Sequence, residues 1–310
     1  MRHLFIVNPV AGKLKPEEKE RHISRVIESM APELREGSEF EIYVTRAPMD
    51  ACAKIKAEAQ LRDELRVYAC GGDGTLNECV NGAAGLPNVA VTHFPCGTGN
   101  DFIKTFGLEK NRFFDLEQLV AGEVRPLDII DCNGRYSINI CSVGLDARIG
   151  IDVHKYSNIP IIGGATGYVV STAANYIKGI KNEMTVEADG LTCGPELNMV
   201  CICNGRFYGG GFNPTKDARP DDGIMDCLII SGVNRLTLVA AIMAYSKGKY
   251  KTLPKYITCI RTKDLHVFSP EPQVINVDGE EQHAKDIHFH LVPGGVNFVF
   301  PKNMEFFTAT

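Results

Sequence analysis

The sequence predicts an α/β domain built on a parallel sheet, followed by a β-rich domain with a sandwich-like rhythm. Strand-like and helix-like runs alternate along the first 125 residues, an order typical of a parallel sheet with helices on both faces. After Arg125, strand-like runs follow one another with Gly, Asn and Asp turns between them, as in β-sandwiches. A chain of 310 residues is also long enough for two modest domains.

The first half alternates regularly. An apolar run at residues 4–7 ends at Asn8-Pro9 and predicts a short strand. Residues 17–30 place Ile23, Val26 and Met30 on one face of a helix. Further strands are predicted at 40–44, 65–70 and 89–94, and further helices at 51–61 and 75–84.

The second half is read mainly as strands. Helices are expected only near 167–178 and 236–245, and we place the domain boundary near Arg125-Pro126. The predicted domains are therefore 1–125 and 126–301, with a tail at 302–310. The predicted strands are 127–132, 136–143, 184–188, 199–203, 225–230, 265–268, 274–277, 287–292 and 296–300.

The amino-acid composition excludes some classes of function and location. A net charge of -5 argues against bulk electrostatic binding to nucleic acid and leaves only local basic patches for anionic surfaces. Eleven cysteines without a Cys-x-x-Cys pair predict buried, reduced thiols and a cytoplasmic location. We expect no transmembrane segment, because no apolar run reaches the roughly 18 residues that a span requires.

The strongest chemical signal is GGDGTLNE at residues 71–78, between a predicted strand and a predicted helix. Glycines let the backbone approach a phosphate closely, and the amides at a helix start attract anions. Asp73 lies among these glycines, where it could orient Mg²⁺ or a reacting hydroxyl. A tight turn capped by Asp73 is the alternative; three glycines around one acid favour a phosphate loop.

Two more loops follow predicted strands of the same sheet: NPVAG at residues 8–12 and PCGTGNDF at residues 95–102. Ligands of open α/β sheets bind beyond the carboxyl ends of the strands, so we expect the three loops to converge there. Gly12-Lys13-Leu14 lacks the Ser or Thr and the preceding glycine of a P-loop. Residues 97–102 lack the third glycine of a dinucleotide fingerprint, which argues against a nicotinamide oxidoreductase.

With these loops, the sequence resembles the diacylglycerol kinase catalytic-domain family, in the bacterial lipid kinase branch related to sphingosine and ceramide kinases. GGDGTLNE matches the family signature GGDGTxNE, and residues 95–102 resemble its PxGTxNDF loop. Asn204-Gly205, Asp221-Asp222-Gly223 and Asp278-Gly279-Glu280 follow in the family's order. The resemblance runs nearly end to end.

The resemblance implies an ATP- and Mg²⁺-dependent lipid kinase with its active site in the cleft between the domains. Asp73 would lie near the phosphates and metal. Glu280 would take the proton of the substrate hydroxyl, and Asp278 would support or replace it. The implied ATP-binding residues are Asn8, Pro9, Val10, Ala11, Gly12, Thr45, Gly71, Gly72, Asp73, Gly74, Thr75, Leu76, Asn77 and Thr98.

Similar proteins also carry a structural Mg²⁺ in the second domain. By position, this ion would use Asp222 and the backbone carbonyls of Arg219 and Ile224, oxygen ligands that suit a hard cation. A plain Asp-Gly turn is the alternative. The residues from about Lys302 onward would return to the first domain.

Several substrates remain open. Diacylglycerol, a sphingoid base, a monoacylglycerol or a prenol would each be collected from a membrane surface by peripheral contact. Kinases of a soluble metabolite, such as NAD or a sugar, are a second hypothesis, and an inactive nucleotide- or lipid-binding regulator is a third. The sequence does not decide the oligomeric state and leaves a homodimer open.

For three other features we predict a structural role rather than a role in binding or catalysis. His288 and His290 share one face of a predicted strand, and with His283 as a weak third ligand we expect a solvated strand face rather than a metal site. Residues 163–176 are read as a core helix rather than a lid over a lipid chain. The lysines at 247, 249, 251 and 255 are read as a solvated helix end rather than a lipid contact.

Overall fold

A computed structural model describes residues 1–157 and 179–308 of the chain. The predicted helix at 167–178 and the segment 163–176 lie outside the described residues. The chain divides into two compact units. Unit 1 comprises Met1–Ile129 and Pro293–Thr310, and unit 2 comprises Ile130–Val292.

Unit 1 is built on a parallel sheet. Its first four strands pair in the order β2-β1-β3-β4, with all neighbours parallel. The strands are almost continuous apolar runs because helices cover the sheet; Leu4, Phe5, Ile6 and Val7 are all fully buried. The strands are β1 (Arg2–Val7), β2 (Glu39–Val44), β3 (Leu65–Gly71) and β4 (Val89–Pro95).

The helices of unit 1 connect these parallel strands. α1 starts at Pro16, whose missing N–H costs nothing at a helix start. α4 starts at Asp73, directly after the N-cap Gly72. The helices are α1 (Pro16–Ser29), α2 (Pro32–Arg35), α3 (Asp50–Ala59), α4 (Asp73–Ala83), a 3₁₀ segment (Phe102–Phe114) and α5 (Leu116–Val120).

An aromatic cluster holds the returning end of the chain in unit 1. Phe298 and Phe300 contact Phe113 and Phe106, with ring centroids 5.3–6.5 Å apart. Asn297 and Phe298 continue the sheet as a parallel partner of β4. Tilted and edge-to-face rings of this kind add to the energy of area burial.

Unit 2 is predominantly antiparallel. Its main sheet has the order β14-β13-β12-β7-β15-β16, and the hairpin β9-β10 joins it through β15. Two long strands run from one unit into the other, β5 (Glu123–Cys132) and β16 (Glu280–Phe300). The strands within unit 2 are β6 (Arg135–Ser137), β7 (Ile140–Gly144), β8 (Asn182–Glu183), β9 (Thr185–Ala188), β10 (Leu191–Cys193), β11 (Glu196–Leu197), β12 (Met199–Cys203), β13 (Met225–Ile230), β14 (Ile257–Thr262) and β15 (Asp264–Val277).

Both faces of the central strands β7, β12 and β13 are covered. One cluster includes Ile130, Val143 and Val267, and another lies beneath two helices and includes Leu145 and Leu238. The helices are α6 (Leu145–Ser157) and α7 (Leu238–Ser246). The predicted fold class is confirmed: a parallel α/β unit is followed by a β-rich one. Predicted strands 265–268 and 274–277 form one long strand, β15, and β14 was missed.

Among the described residues, no helix combines the length and apolar character needed to cross a membrane.

Candidate active site

The three predicted loops of unit 1 meet at the carboxyl ends of β1, β3 and β4. The Asn8 side-chain amide donates to Thr75 Oγ1 over 3.0 Å, which joins the first loop to the second. Asp73 Oδ1 accepts from the Asp101 amide over 2.6 Å, which joins the second loop to the third. Side chains that the resemblance places around ATP therefore also tie the loops together.

Close backbone approach explains two of the glycines. A Cβ on Gly12 would lie 1.9 Å from the Cys96 carbonyl oxygen, and Gly12 has a φ of +68° that side chains disfavour. A Cβ on Gly97 would lie 2.5 Å from Gly72 Cα. The loops could not converge in this way with any larger residue at these positions.

The glycine loop leads directly into α4. Because the helix starts at Asp73, its first-turn amides and the positive end of its dipole lie at the loop. Thr75 and Asn77 are buried, whereas Gly74, Val10 and Thr98 are exposed. Thr45 follows β2 at the same edge of the sheet, and its amide donates to the Val7 carbonyl at the end of β1. This edge thus presents glycine backbone and a helix start, which suits an anion.

Two buried groups beneath the loops were missed by the sequence reasoning. Lys19 is 3% exposed, and its Nζ donates to the carbonyls of Asn8 (2.8 Å) and Ala11 (2.6 Å). The helical spacing could have indicated that Lys19 is buried, because Lys19 precedes the buried Ile23 by four residues and lies on the same face of the helix. His93 lies 3.1 Å from the Gly71 carbonyl through Nε2, and burial lowers the pKa of His93 to about 4. The imidazole is therefore neutral and donates to Gly71.

The two acids of the Asp278-Gly279-Glu280 motif have different surroundings in unit 2. Asp278 and Gly279 have φ of +51° and +100°, values typical of the two-residue turn that joins β15 to β16. Asp278 accepts hydrogen bonds from Ser137 Oγ (2.6 Å) and the amide of Ile140 (2.9 Å). The amides of residues 138 and 139 donate to the same carboxylate.

Asp278 therefore anchors the segment that leads into β7. The side chain of Glu280 is 50% exposed, and its Oε2 lies 3.6 Å from Arg135 Nη2. Of the two acids, Glu280 is the one open to solvent. The Asn204-Gly205 motif reaches the same segment: the Asn204 side-chain amide donates to the Ile138 carbonyl over 2.7 Å.

The loop predicted to hold a structural cation is rich in acids. Asp222 Oδ2 accepts from Arg261 over 2.5 Å, and the Ile224 amide donates to Asp222 Oδ1. Arg219 is paired with Asp221 at 3.0 Å. Nearby, Asp226 is buried with an Oδ2 that has no hydrogen-bond partner, and burial raises the pKa of this carboxyl. A carboxylate oxygen of this kind fits a cation, and Asp226 was not foreseen.

The chain thus has two compact units, and the first carries a glycine-lined loop edge at a helix start that suits an anion. Residues 2–132 match the model of the diacylglycerol kinase catalytic domain. Residues 139–300 match the model of the YegS C-terminal NAD kinase beta sandwich-like domain. The chain belongs to the bacterial lipid kinase family that combines these two domains, as its sequence motifs predicted. Kinases of this family are phosphotransferases.

Two relatives illustrate the match. A diacylglycerol kinase of Bacillus subtilis is 28% identical over 310 residues, which cover 97% of each chain. The crystal structure of a diacylglycerol kinase from Bacillus anthracis superposes with a TM-score of 0.69 and 22% identity, covering 98% of each chain. The second likeness shows that the fold is shared.

Proposed function

We propose that this chain is an ATP- and Mg²⁺-dependent kinase that phosphorylates the hydroxyl of diacylglycerol or a similar lipid. The observation that carries the proposal is the junction of three glycine loops through the Asn8–Thr75 and Asp73–Asp101 hydrogen bonds. Phosphoryl transfer needs alignment and charge stabilisation more than covalent help from the protein. A glycine-lined loop edge at a helix start supplies amide donors for phosphate oxygens.

Asp73 is the proposed partner of the metal that accompanies the nucleotide. A Cβ on Gly99 would lie 2.7 Å from Asp73 Oδ2, so only glycine lets the third loop approach this carboxylate so closely. Bound Mg²⁺ would supply positive charge to the transferring phosphoryl group. Asp73 would orient that ion, while the Asp101 amide fixes the carboxylate in place.

Glu280 is the proposed base. Its exposed carboxylate can accept a proton from the substrate hydroxyl, whereas the Asp278 carboxylate already accepts four hydrogen bonds from residues 137–140. We therefore propose that Asp278 positions the motif and that Glu280 moves the proton. Asp222 and the carbonyls of Arg219 and Ile224 in one loop, together with Asp226 at the start of β13, form the proposed structural Mg²⁺ site.

Helix α7 supports the choice of a lipid. Its inner side, with Leu238 and Ala241, lines a narrow apolar slit together with Leu145 and Met199. Its outer side is also apolar: Leu236 just before it, Val239 and Met243 are 93%, 66% and 55% exposed. These residues follow helical spacing on one face, and such a face beside basic residues suits a membrane surface.

A basic margin adjoins this face. Arg235 precedes it, and exposed lysines follow it at positions 247, 249, 251 and 255. Anionic headgroups attract such clusters at short range even when the whole protein is negative. We propose that α7 rests on an anionic membrane while the enzyme takes up its substrate. The exposed lysines, predicted as a solvated helix end, would then lie beside the headgroups.

The test is transfer of labelled γ-phosphate from ATP to a panel of hydroxyl lipids in mixed micelles, beside soluble sugars and NAD. Asp73→Asn should lower kcat by at least about a hundredfold without unfolding the protein. Asp63→Asn, an exposed acid of the same unit, is the matched control and should retain full activity. Label in aqueous acceptors alone, or an unchanged rate in Asp73→Asn, would refute the proposal.

A further inference from the structure

A cluster of histidines and acids lies on the strand pair β15–β16 of unit 2 and includes none of the motif residues described above. In β15 and β16 the register pairs His266 with His288 and Phe268 with Asp286. Direct partners on antiparallel strands project from the same face of a sheet. The alternating neighbours Leu265 and Val267 are buried, so the histidine face is the outer one.

Three ligand atoms converge there. Asp286 Oδ1 lies 2.5 Å from His266 Nε2 and 3.0 Å from His288 Nε2. The two imidazole rings are stacked, with centroids 4.1 Å apart and planes 9° apart. All three ligand atoms lie within 4.8 Å of one another. In a tetrahedral zinc site, ligand atoms about 2.1 Å from the metal are about 3.4 Å apart. A bound ion would therefore widen the distances from Asp286 Oδ1 to both nitrogens and turn the two nearly parallel rings towards itself.

The backbone that carries two of these side chains is held independently. The amide of His288 donates to Asn133 Oδ1 over 2.9 Å, and Asn133 Nδ2 donates to the Asp286 carbonyl over 2.9 Å. Asn133 lies in the turn between β5 and β6, with a φ of +49°. Ligands on a strand that is held in this way are positioned more precisely than ligands on a loop.

The cluster borders a concave surface. His266 and His288 line a concavity of about 560 Å³ together with Glu187 and the turn at Asp189-Gly190. Glu187 is the direct partner of His266 on β9. Water, a small anion or the Glu187 carboxylate could therefore complete a three-ligand site from this side, as in zinc sites with an open fourth position.

We propose that His266, Asp286 and His288 form a binding site for a zinc-class divalent cation. Two imidazole nitrogens and one carboxylate oxygen suit Zn²⁺, Co²⁺, Ni²⁺ or Cu²⁺, whereas Mg²⁺ prefers oxygen ligands throughout. The site is therefore chemically distinct from any Mg²⁺ used in phosphoryl transfer. The sequence analysis did not group His266 and Asp286 with His288, because strand pairing brings His266 to the other two side chains.

The probe is Co²⁺, followed by Zn²⁺ in competition with a chromogenic chelator, on untagged, metal-stripped and fully reduced protein. We expect one equivalent to bind, with visible bands of cobalt held by nitrogen and oxygen. His266→Gln, His288→Gln and Asp286→Asn should each weaken binding by at least about tenfold. His283→Gln and His290→Gln are matched controls, one on the same strand and one on the same face, and should bind as the wild type does.

Several outcomes would overturn the proposal. They are the lack of stoichiometric binding, equal binding by all five variants, or the strong near-ultraviolet charge-transfer bands of cobalt bound to cysteine thiolates. Thermal unfolding without metal should be nearly the same in all variants, because the replaced side chains lie on the surface. If one variant unfolds, Zn²⁺ should still raise the Tm of the wild type and of His283→Gln, and no rise would refute the site.

Discussion

The histidine beneath the glycine loop should make this part of the fold sensitive to acid. His93 is fully buried in β4 and donates to the Gly71 carbonyl, which also accepts from the amides of Cys96 and Gly97. Burial lowers the pKa of His93 from 6.5 to about 4. The native state therefore binds fewer protons at this site than the unfolded chain, and its stability falls as pH falls from about 6.5 towards 4.

The magnitude follows from the shift. A pKa difference of about 2.5 units corresponds to about 3 kcal/mol, of which about 2 kcal/mol should be lost between pH 7 and pH 5. His93→Gln retains an N–H donor for Gly71 but cannot titrate. The stability advantage of the wild type over this variant should therefore shrink by about 2 kcal/mol over that pH range.

The assay is equilibrium denaturation of both proteins at several pH values, with hydrogen exchange at Cys96 and Gly97 as the local readout. The comparison with the variant is necessary because burial also lowers the pKa of His3 to about 4, which adds a slope of the same sign. A wild-type advantage that does not change with pH would refute the reasoning. So would an NMR titration in which the His93 ring protonates near pH 6.5.

Three further predictions concern the site. Lys19→Met should leave the carbonyls of Asn8 and Ala11 without their donor. Binding of a non-hydrolysable ATP analogue, measured by calorimetry, should weaken by about tenfold and be partly restored in Lys19→Arg. Equal affinity in Lys19→Met and Lys19→Arg would contradict this. Asp278→Asn should lower the free energy of unfolding by about 2 kcal/mol. Glu280→Gln should abolish turnover and change the free energy of unfolding by less than about 0.5 kcal/mol. If Glu280→Gln destabilised the fold and Asp278→Asn abolished turnover without doing so, the two roles would be exchanged. Replacing Leu236 and Val239 together by Ser should weaken sedimentation with anionic vesicles by about tenfold, and the control Leu61→Ser, also an exposed leucine, should sediment as the wild type does.

Much of unit 1 could be predicted because its signals are local. The alternation of apolar strands with amphipathic helices predicted the four strands and the helices α1, α3 and α4 to within a few residues, whereas α2, the 3₁₀ segment and α5 were missed. The glycine loop could be predicted for the same reason, because its residues are contiguous between one strand and one helix. In unit 2, many strands are short and lack a clear alternation of apolar and polar residues. The sequence analysis therefore missed β14 and the small strands β8, β10 and β11.

The sequence by itself determined the two-part fold class, the family and the loops expected to handle phosphate, because periodicity and contiguous motifs are properties of neighbouring residues. Only the tertiary structure decided which side chains meet. Lys19 reaches two carbonyls of the first loop, Asp278 anchors a segment about 140 residues earlier in the chain, and His266 faces His288 across a strand pair. Such contacts depend on register and burial, which arise when distant segments pack together, and no local pattern encodes them.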